Sequence, residues 1–395
     1  MIRQLRPRIK IAVTSVILAF IAGVFLDHYQ LASNFRMGIT QWVMDCNPRV
    51  LDAQNTLLVQ ISDDDWRDTP FFQHLTNVVT AAAKREPRCI ILDFQFTSGS
   101  KNDLLPFHDA IVEVSKSRPV ILPLTLRAVK GSKDVAVEDS TLFQFEDLKP
   151  GTGGRISQHP GIRYGFINGD NSDDVRLLPL KAWRDGTNDE VPAIYLAAIR
   201  AAYEFHPSRR LRELEEWGKD SLRPVIQFIP ADLMPTVGST AFLRESDKTM
   251  ARTRGSFVVI GGTYHLNNTS ADEFPTPVGI MSGAAIHAQN VEALVDGHYF
   301  RQASGLWVVV PKLLAEIILI STILMTASVL MRFLMLAVVV LVMALLSFVA
   351  LENFGTALDF VLPVLGVAVS FLFDLVEQFQ ESRRQKRENR LAGAN

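Results

Sequence analysis

Cysteine is nearly absent from this chain: Cys46 and Cys89 are the only two in 395 residues. Two thiols cannot supply a Cys-rich zinc site or the framework of a disulfide-stapled domain. One bridge between them is open in an oxidising compartment, but sequence spacing does not bring two Cα atoms within bridging range. Cys89 also reads as a small hydrophobe entering a buried strand. A surplus of positive charge is missing as well. Lys and Arg number 40 against 42 Asp and Glu, a net charge of −2, which argues against a nucleic-acid partner, whose binders carry a basic excess. Catalytic signatures are lacking too, with no nucleophile elbow and no H-E-x-x-H pair. The Gly261-Gly262 pair has neither dinucleotide nor P-loop spacing and reads as a tight turn. No cofactor, no resident metal and no enzymatic activity are therefore expected.

What the chain has in quantity is long apolar runs. Ile11–Leu26 contains no charge and follows Arg3, Arg6, Arg8 and Lys10. The run is slightly short for a bilayer core, which needs about 20 apolar residues, and Ile9 with the aliphatic stem of Lys10 extends it. A cleaved signal peptide is the alternative. The bulky, polar Asp27, His28, Tyr29 and Gln30, with no A-x-A exit, favour an uncleaved anchor. Three further runs, Leu313–Met331, Phe333–Leu351 and Thr356–Val376, are too long and too free of charge for ordinary buried helices and read as membrane spans. Arg332 and the basic tail inside, with Glu352 and Asp359 outside, satisfy the positive-inside rule. Lys312 and Glu316 read as an i, i+4 pair at headgroup level.

The expected layout is a cytoplasmic N-terminus (1–10), a first span (11–29), an extracytoplasmic domain (30–303), a three-helix membrane bundle (304–376) and a basic cytoplasmic tail (377–395). That is a multi-pass protein of the bacterial inner membrane, its large domain periplasmic and both ends of the chain cytoplasmic. In the tail, Arg383, Arg384, Lys386 and Arg387 read as a stop signal, or as a contact for a cytoplasmic effector or anionic lipid.

Within the large domain, short apolar runs alternate with helical patterns. Strands are expected at Thr56–Ser62, Arg88–Phe96, Pro119–Leu126, Val225–Ile229 and Ser256–Gly262. Helices are expected at Phe71–Glu86, Asp103–Ser117 (with Pro106 in its first turn), Ala193–Phe205 and Gly283–Gly297. Continuous apolar strands between helices predict an α/β domain, its mainly parallel sheet covered on both faces. Residues 129–163, rich in Gly, Ser, Asp and Lys, read as an excursion with an antiparallel hairpin.

Three segments together resemble the type-two CHASE domain, an extracytoplasmic sensory family of bacterial receptors. They are the strand CIILDFQF followed by Asp103; GIRYGFINGDNSDDVRLLPL (Gly161–Leu180); and FVVIGGTYHLNNTSADEFPTPVGIMSGAAIHAQNVEALVDG (Phe257–Gly297). Their order and spacing carry the resemblance, which spans most of Leu51–Gly297 and the three membrane runs that follow. One departure is the end of the first strand, ISDDDW here where the family has Ile-Asp-x-x-Ser. The resemblance implies sensing. Family members continue into a cytoplasmic output domain, so with only residues 377–395 after the last run the expectation is a separate cytoplasmic effector.

Ligands in open parallel sheets bind beyond the carboxyl ends of the strands. That rule selects Asp63, Asp93, Asp103, His265, Asp272, Thr276 and His287 as candidate ligand-binding residues. Each also has a plainer reading: a helix cap for Asp63–Asp65, a hydrogen-bonded core acid for Asp93, a packed core residue for His287, and an extended Pro-fixed connection at Thr276. Three functions stay open: a sensor or receptor subunit for an extracytoplasmic ligand or protein, a non-sensing structural subunit, and a metal-assisted hydrolase using Asp63, Asp93, Asp272 and His265. A homo-oligomer is compatible with any of them.

Overall fold

Successive side chains of a strand point to opposite faces of its sheet, and this chain exploits the rule on both sides. The computed structural model describes residues 53–66, 69–94, 96, 101–128, 135–138, 159–167, 180–183, 190–203, 212, 224–230, 232–244, 247–262, 265–266, 269–270, 273–276 and 278–302. Toward the C-terminal end it describes residues 334, 337–338, 341–342, 344–350, 356–357, 376, 379–380 and 382–383. The chain divides into two compact units, residues 49–299 and residues 1–48 with 300–395.

The first unit is built on a sheet of seven strands. In chain order its elements begin β1 (Thr56–Ile61), α1 (Phe71–Lys84), β2 (Cys89–Asp93), α2 (Lys101–Ser115), β3 (Val120–Ala128), β4 (Val135–Glu138) and β5 (Ile162–Phe166). A small hairpin, β6 (Lys181–Trp183) with β7 (Glu190–Pro192), precedes α3 (Ile194–Ala202). Then come β8 (Pro224–Ile226), β9 (Thr236–Gly238), α4 (Ser239–Leu243), α5 (Asp247–Thr253) and β10 (Phe257–Gly262). Two hairpins, β11 (His265–Leu266) with β12 (Thr269–Ser270) and β13 (Glu273–Thr276) with β14 (Gly279–Ser282), lead into α6 (Gly283–Asp296). Strand order across the sheet is β9-β1-β10-β2-β3, and beyond β3 lie β5 and β4. All are parallel except β4, which pairs antiparallel with Thr125–Ala128 while β5 takes Val120–Leu124. The mainly parallel α/β domain and the antiparallel excursion after β3 are as the sequence predicts.

One face carries Leu57, Val59 and Ile61 of β1, Ile90 and Leu92 of β2, and Val258 and Ile260 of β10, packed against α1, α2 and Phe242 of α4. The other carries Leu58, Cys89, Ile91, Phe257 and Val259 against α3 and α6. Cys89 is a free thiol wholly inside this second core, where burial pushes its pKa up. Cys46 lies outside the described residues.

Two sequence expectations need correction. Helix α2 starts at Lys101, two residues earlier than expected, so Pro106 sits in the second turn on an exposed position. Gly261 and Gly262 are not a turn but the last residues of β10. A Cβ built on Gly261 would stand 2.2 Å from the Cβ of Ala284 in α6. Close helix-to-strand approach, not chain reversal, is what requires this glycine.

In the second unit, the helical residues between 334 and 350 turn their large apolar side chains outward. Leu334, Val338, Leu341, Val342, Leu345, Leu346 and Val349 are exposed, while the small Ser347 and Ala350 are buried. A two-residue strand, β16 (Thr356–Ala357), pairs in parallel with Arg301 and Gln302 of β15 (Tyr299–Gln302). Among the described residues no helix is long and apolar enough to cross a membrane. The expected spans 11–29 and Leu313–Met331 lie outside the described residues, as do most of Thr356–Val376 and part of Phe333–Leu351.

Because Ala284 leaves no room at Gly261, Gly261→Val should destabilise the domain by about 1–3 kcal/mol, the usual cost of overpacking. A denaturant midpoint equal to that of the unaltered protein would refute the close-approach account.

Candidate functional site

The carboxyl ends of β1, β10 and β2 lie side by side, since Ile61 pairs with Gly262 and Gly261 with Asp93. Alternation turns the Asp93 side chain to the face that bears α6. There it is nearly covered, with 7% of the side chain exposed, and its Oδ1 lies 3.8 Å from Nε2 of His287, itself 12% exposed. That separation exceeds a hydrogen bond and leaves an ion-pair distance. The Nδ1 of His287 is buried without a protein partner. Tyr195 of α3 places its ring 6.3 Å from the imidazole. Asp93, His287 and Tyr195 thus form an acid–base–aromatic group joining β2, α6 and α3 at the edge where ligands of open sheets bind.

The other predicted residues that are described fall on separate elements. Asp63 opens the 3-10 turn Asp63–Trp66 after β1 and is exposed. Asp103 falls in the first turn of α2, and His265 begins the β11–β12 hairpin beyond β10; the side chains of both lie outside the described residues, as does the whole of Asp272. Thr276 pairs with Gly279 across the tip of the β13–β14 hairpin. Its hydroxyl bonds the carbonyl of Gly279 at 2.5 Å and faces the amide of Val278 at 3.3 Å, so it works within the turn. Strands β1 and β2 flank β10 and stand about 9.6 Å apart, twice the spacing of neighbouring strands. Among the described residues no three His, Cys, Asp or Glu groups stand close enough to hold a metal ion. In the tail, the guanidinium of Arg383 stacks 4.5 Å from the ring of Phe379, while Arg384, Lys386 and Arg387 lie outside the described residues.

Sequence reasoning missed a second polar cluster at the same edge. Asp65 Oδ2 accepts from the amide and hydroxyl of Ser62 at 2.7 and 2.8 Å. Its Oδ1 accepts from the hydroxyl and amide of Thr240 at 2.6 and 3.3 Å, so it caps the start of α4 from across the sheet. Nε2 of His74 meets Oγ of Ser239 at 2.7 Å. Serine, histidine and aspartate together invite comparison with a hydrolytic triad, but the wiring is wrong. The aspartate bonds Ser62 and Thr240 rather than the imidazole, and Ser239 is entirely buried, so no substrate reaches it. Burial raises the Asp65 pKa, yet the bonds from Thr240, Ser62 and Ser239 outweigh it and bring the carboxyl down to about 2. Burial likewise lowers the pKa of His74, against an opposing pull from Asp65. This cluster is a structural clamp between β1, α1 and α4. Only the acidic tract at 63–65 hinted at it; Ser239 and Thr240 are far off in sequence and carry no pattern.

The described domain is thus a mainly parallel α/β sheet covered on both faces, with an acid–histidine group at its carboxyl edge. A family model for the CHASE2 domain matches residues 12–329, well over half of the chain. The chain belongs to the CHASE2 family, a family of extracytoplasmic sensory domains. No curated protein and no solved structure matches it.

Losing the Asp65 cap should cost about 1 kcal/mol, as for other helix caps replaced by alanine, measurable for Asp65→Ala by denaturant unfolding. The folded carboxyl titrates near 2 against an ordinary 3.8. Its stabilisation is therefore complete above about pH 4 and disappears as pH falls toward 2. Asp65→Asn should flatten the stability curve in that window; an unchanged slope would contradict the assignment.

Proposed function

We propose that this chain is a sensor of the bacterial inner membrane, its α/β domain outside and four spans anchoring it. The domain reads a ligand or envelope protein at the Asp93–His287 edge and passes the change through the bundle to a cytoplasmic partner. Family membership supports the sensory part. The observation that carries the membrane part is the inverted helical face between 334 and 350, with Leu and Val outward and Ser347 and Ala350 inward. An aqueous surface would not hold so continuous an apolar stripe. Lipid tails accept Leu and Val, and small residues let membrane helices approach one another.

Strand pairing supports the same topology. Thr356 and Ala357 pair with Arg301 and Gln302, and two apolar runs separate these positions in sequence. Two crossings return a chain to the side from which it left, so residues 301–302 and 356–357 share the outer face, as the charge rule also requires. The close cover over Asp93 and His287 favours a second reading, a structural subunit that binds no small molecule. A ligand must loosen that cover and bind the open and closed forms unequally to signal at all.

Alkaline phosphatase fused after residue 180 should be active and the same enzyme fused after Arg332 inactive, since only the first position lies outside. The reverse pattern would overturn the topology. Thermal shift of the detergent-solubilised protein should then reveal a stabilising small molecule whose effect Asp93→Asn abolishes. Constant co-purification with envelope proteins, and no such molecule, would favour the structural reading.

A further inference from the structure

Helix α6 runs the full height of the sheet. At its start, Ala284 sits over Gly261 and His287 over Asp93, both at the carboxyl edge. Its fourteen residues rise about 21 Å and end at the opposite edge. There Glu292, wholly buried, accepts through Oε1 from the amides of Gln54 and Asn55 at 2.9 and 3.1 Å and from Nδ2 of Asn55 at 3.3 Å. Asp296, one turn on, accepts from the same Nδ2 at 2.6 Å. The carbonyl of Asn55 meanwhile receives the amide of Phe257. Gln54 and Asn55 are the lead-in to β1, the segment through which the chain arrives from the run Ile11–Leu26. Gly297 and His298, directly after α6, begin its departure toward the later apolar runs. Arrival and departure thus share one edge, and α6 ties that edge to the candidate site.

The tie is built to be released. Oε2 of Glu292 is buried with no protein partner, as is the hydroxyl of Thr56 beside the lead-in, and a buried polar atom left unbonded is costly. Acids near the C-terminal end of a helix also oppose its dipole, and no basic residue stands in the last turn of α6 to offset them.

We infer that Glu292 and Asp296 form a latch on Gln54–Asn55, and that α6 works as the lever opening it when the contacts around Asp93 and His287 change. The inference rests on the sensory reading of that edge, and its test needs no ligand. Hydrogen exchange of the intact protein in detergent would follow the amides of Gln54 and Asn55, with the central amides of Ile90 and Val258 reporting global opening. His287→Ala should speed exchange at Gln54 and Asn55 by about five-fold or more relative to Ile90, the lower end of ordinary coupling between sites. Asp93→Asn, which keeps the side-chain shape, should act in the same direction and carries the test if the histidine variant fails to fold. Exchange at Gln54 and Asn55 that merely tracks Ile90 in the folded variants would overturn the lever, while leaving ligand binding by the unaltered protein to be decided by its own thermal shift. A clear response at the latch with no ligand found would instead support the lever and count against the small-molecule reading.

Discussion

Helix α6 reaches the sheet because Gly261 has no side chain, and most of what is distinctive in this domain depends on that approach. With any other residue there, the start of α6 would ride higher, and His287 would withdraw from Asp93. The later turns of the same helix would lose register with their partners as well. Gln289 holds both the amide and the carbonyl of Ile229, at 2.9 and 2.6 Å, as a neighbouring strand would. Glu292 holds the lead-in to β1. One glycine therefore sets the height at which a row of buried polar side chains meets two separate segments of backbone.

That row explains why α6 is unusual among the helices here. Helix α1 is a simple amphipathic element whose buried stripe is mainly Leu75, Val78, Val79 and Ala82. Helix α6 is buried nearly all round, and its interior includes Gln289, Asn290 and Glu292. Burying polar groups is tolerated when they are hydrogen-bonded and expensive when they are not. α6 does both, with Gln289 fully used and the carboxyl of Glu292 only half used. The fold accepts a weak point at the end of α6, while Gln289 and the Gly261 contact set its height on the sheet.

The parallel sheet was legible in the sequence because continuous apolar strands between helices leave few other solutions. Residues 56–62 and 256–262 are largely apolar on both faces, and Thr56–Ile61 pairs with Phe257–Gly262 along its whole length. The order of strands was not legible. That the last long strand, β10, inserts between the first two is a matter of pairing between segments distant in sequence and not of any local pattern. The same limit separates the two edge clusters. Asp93 could be singled out because an acid ending an apolar strand is conspicuous. The Asp65–Ser239–Thr240 clamp is assembled across β1 and β9 from residues with no motif between them. The glycine pair misled because a turn and a close approach both demand a missing Cβ, and only three dimensions distinguish them.

The sheet's two edges separate the candidate site from the points where the chain enters and leaves the domain. The carboxyl edge carries the acid–histidine group of Asp93 and His287. At the amino edge, the chain enters and leaves, and the contacts there are acids holding backbone amides. Any change confined to one edge would go unnoticed at the other if only the sheet joined them, because parallel strands packed on both faces are the stiffest part of such a domain. A helix is different: it can pivot on a close contact as a single body without breaking its own hydrogen bonds. With its pivot at Gly261 and its far end held in part by the half-satisfied carboxyl of Glu292, α6 is the element of the described domain that can move while the sheet stays still.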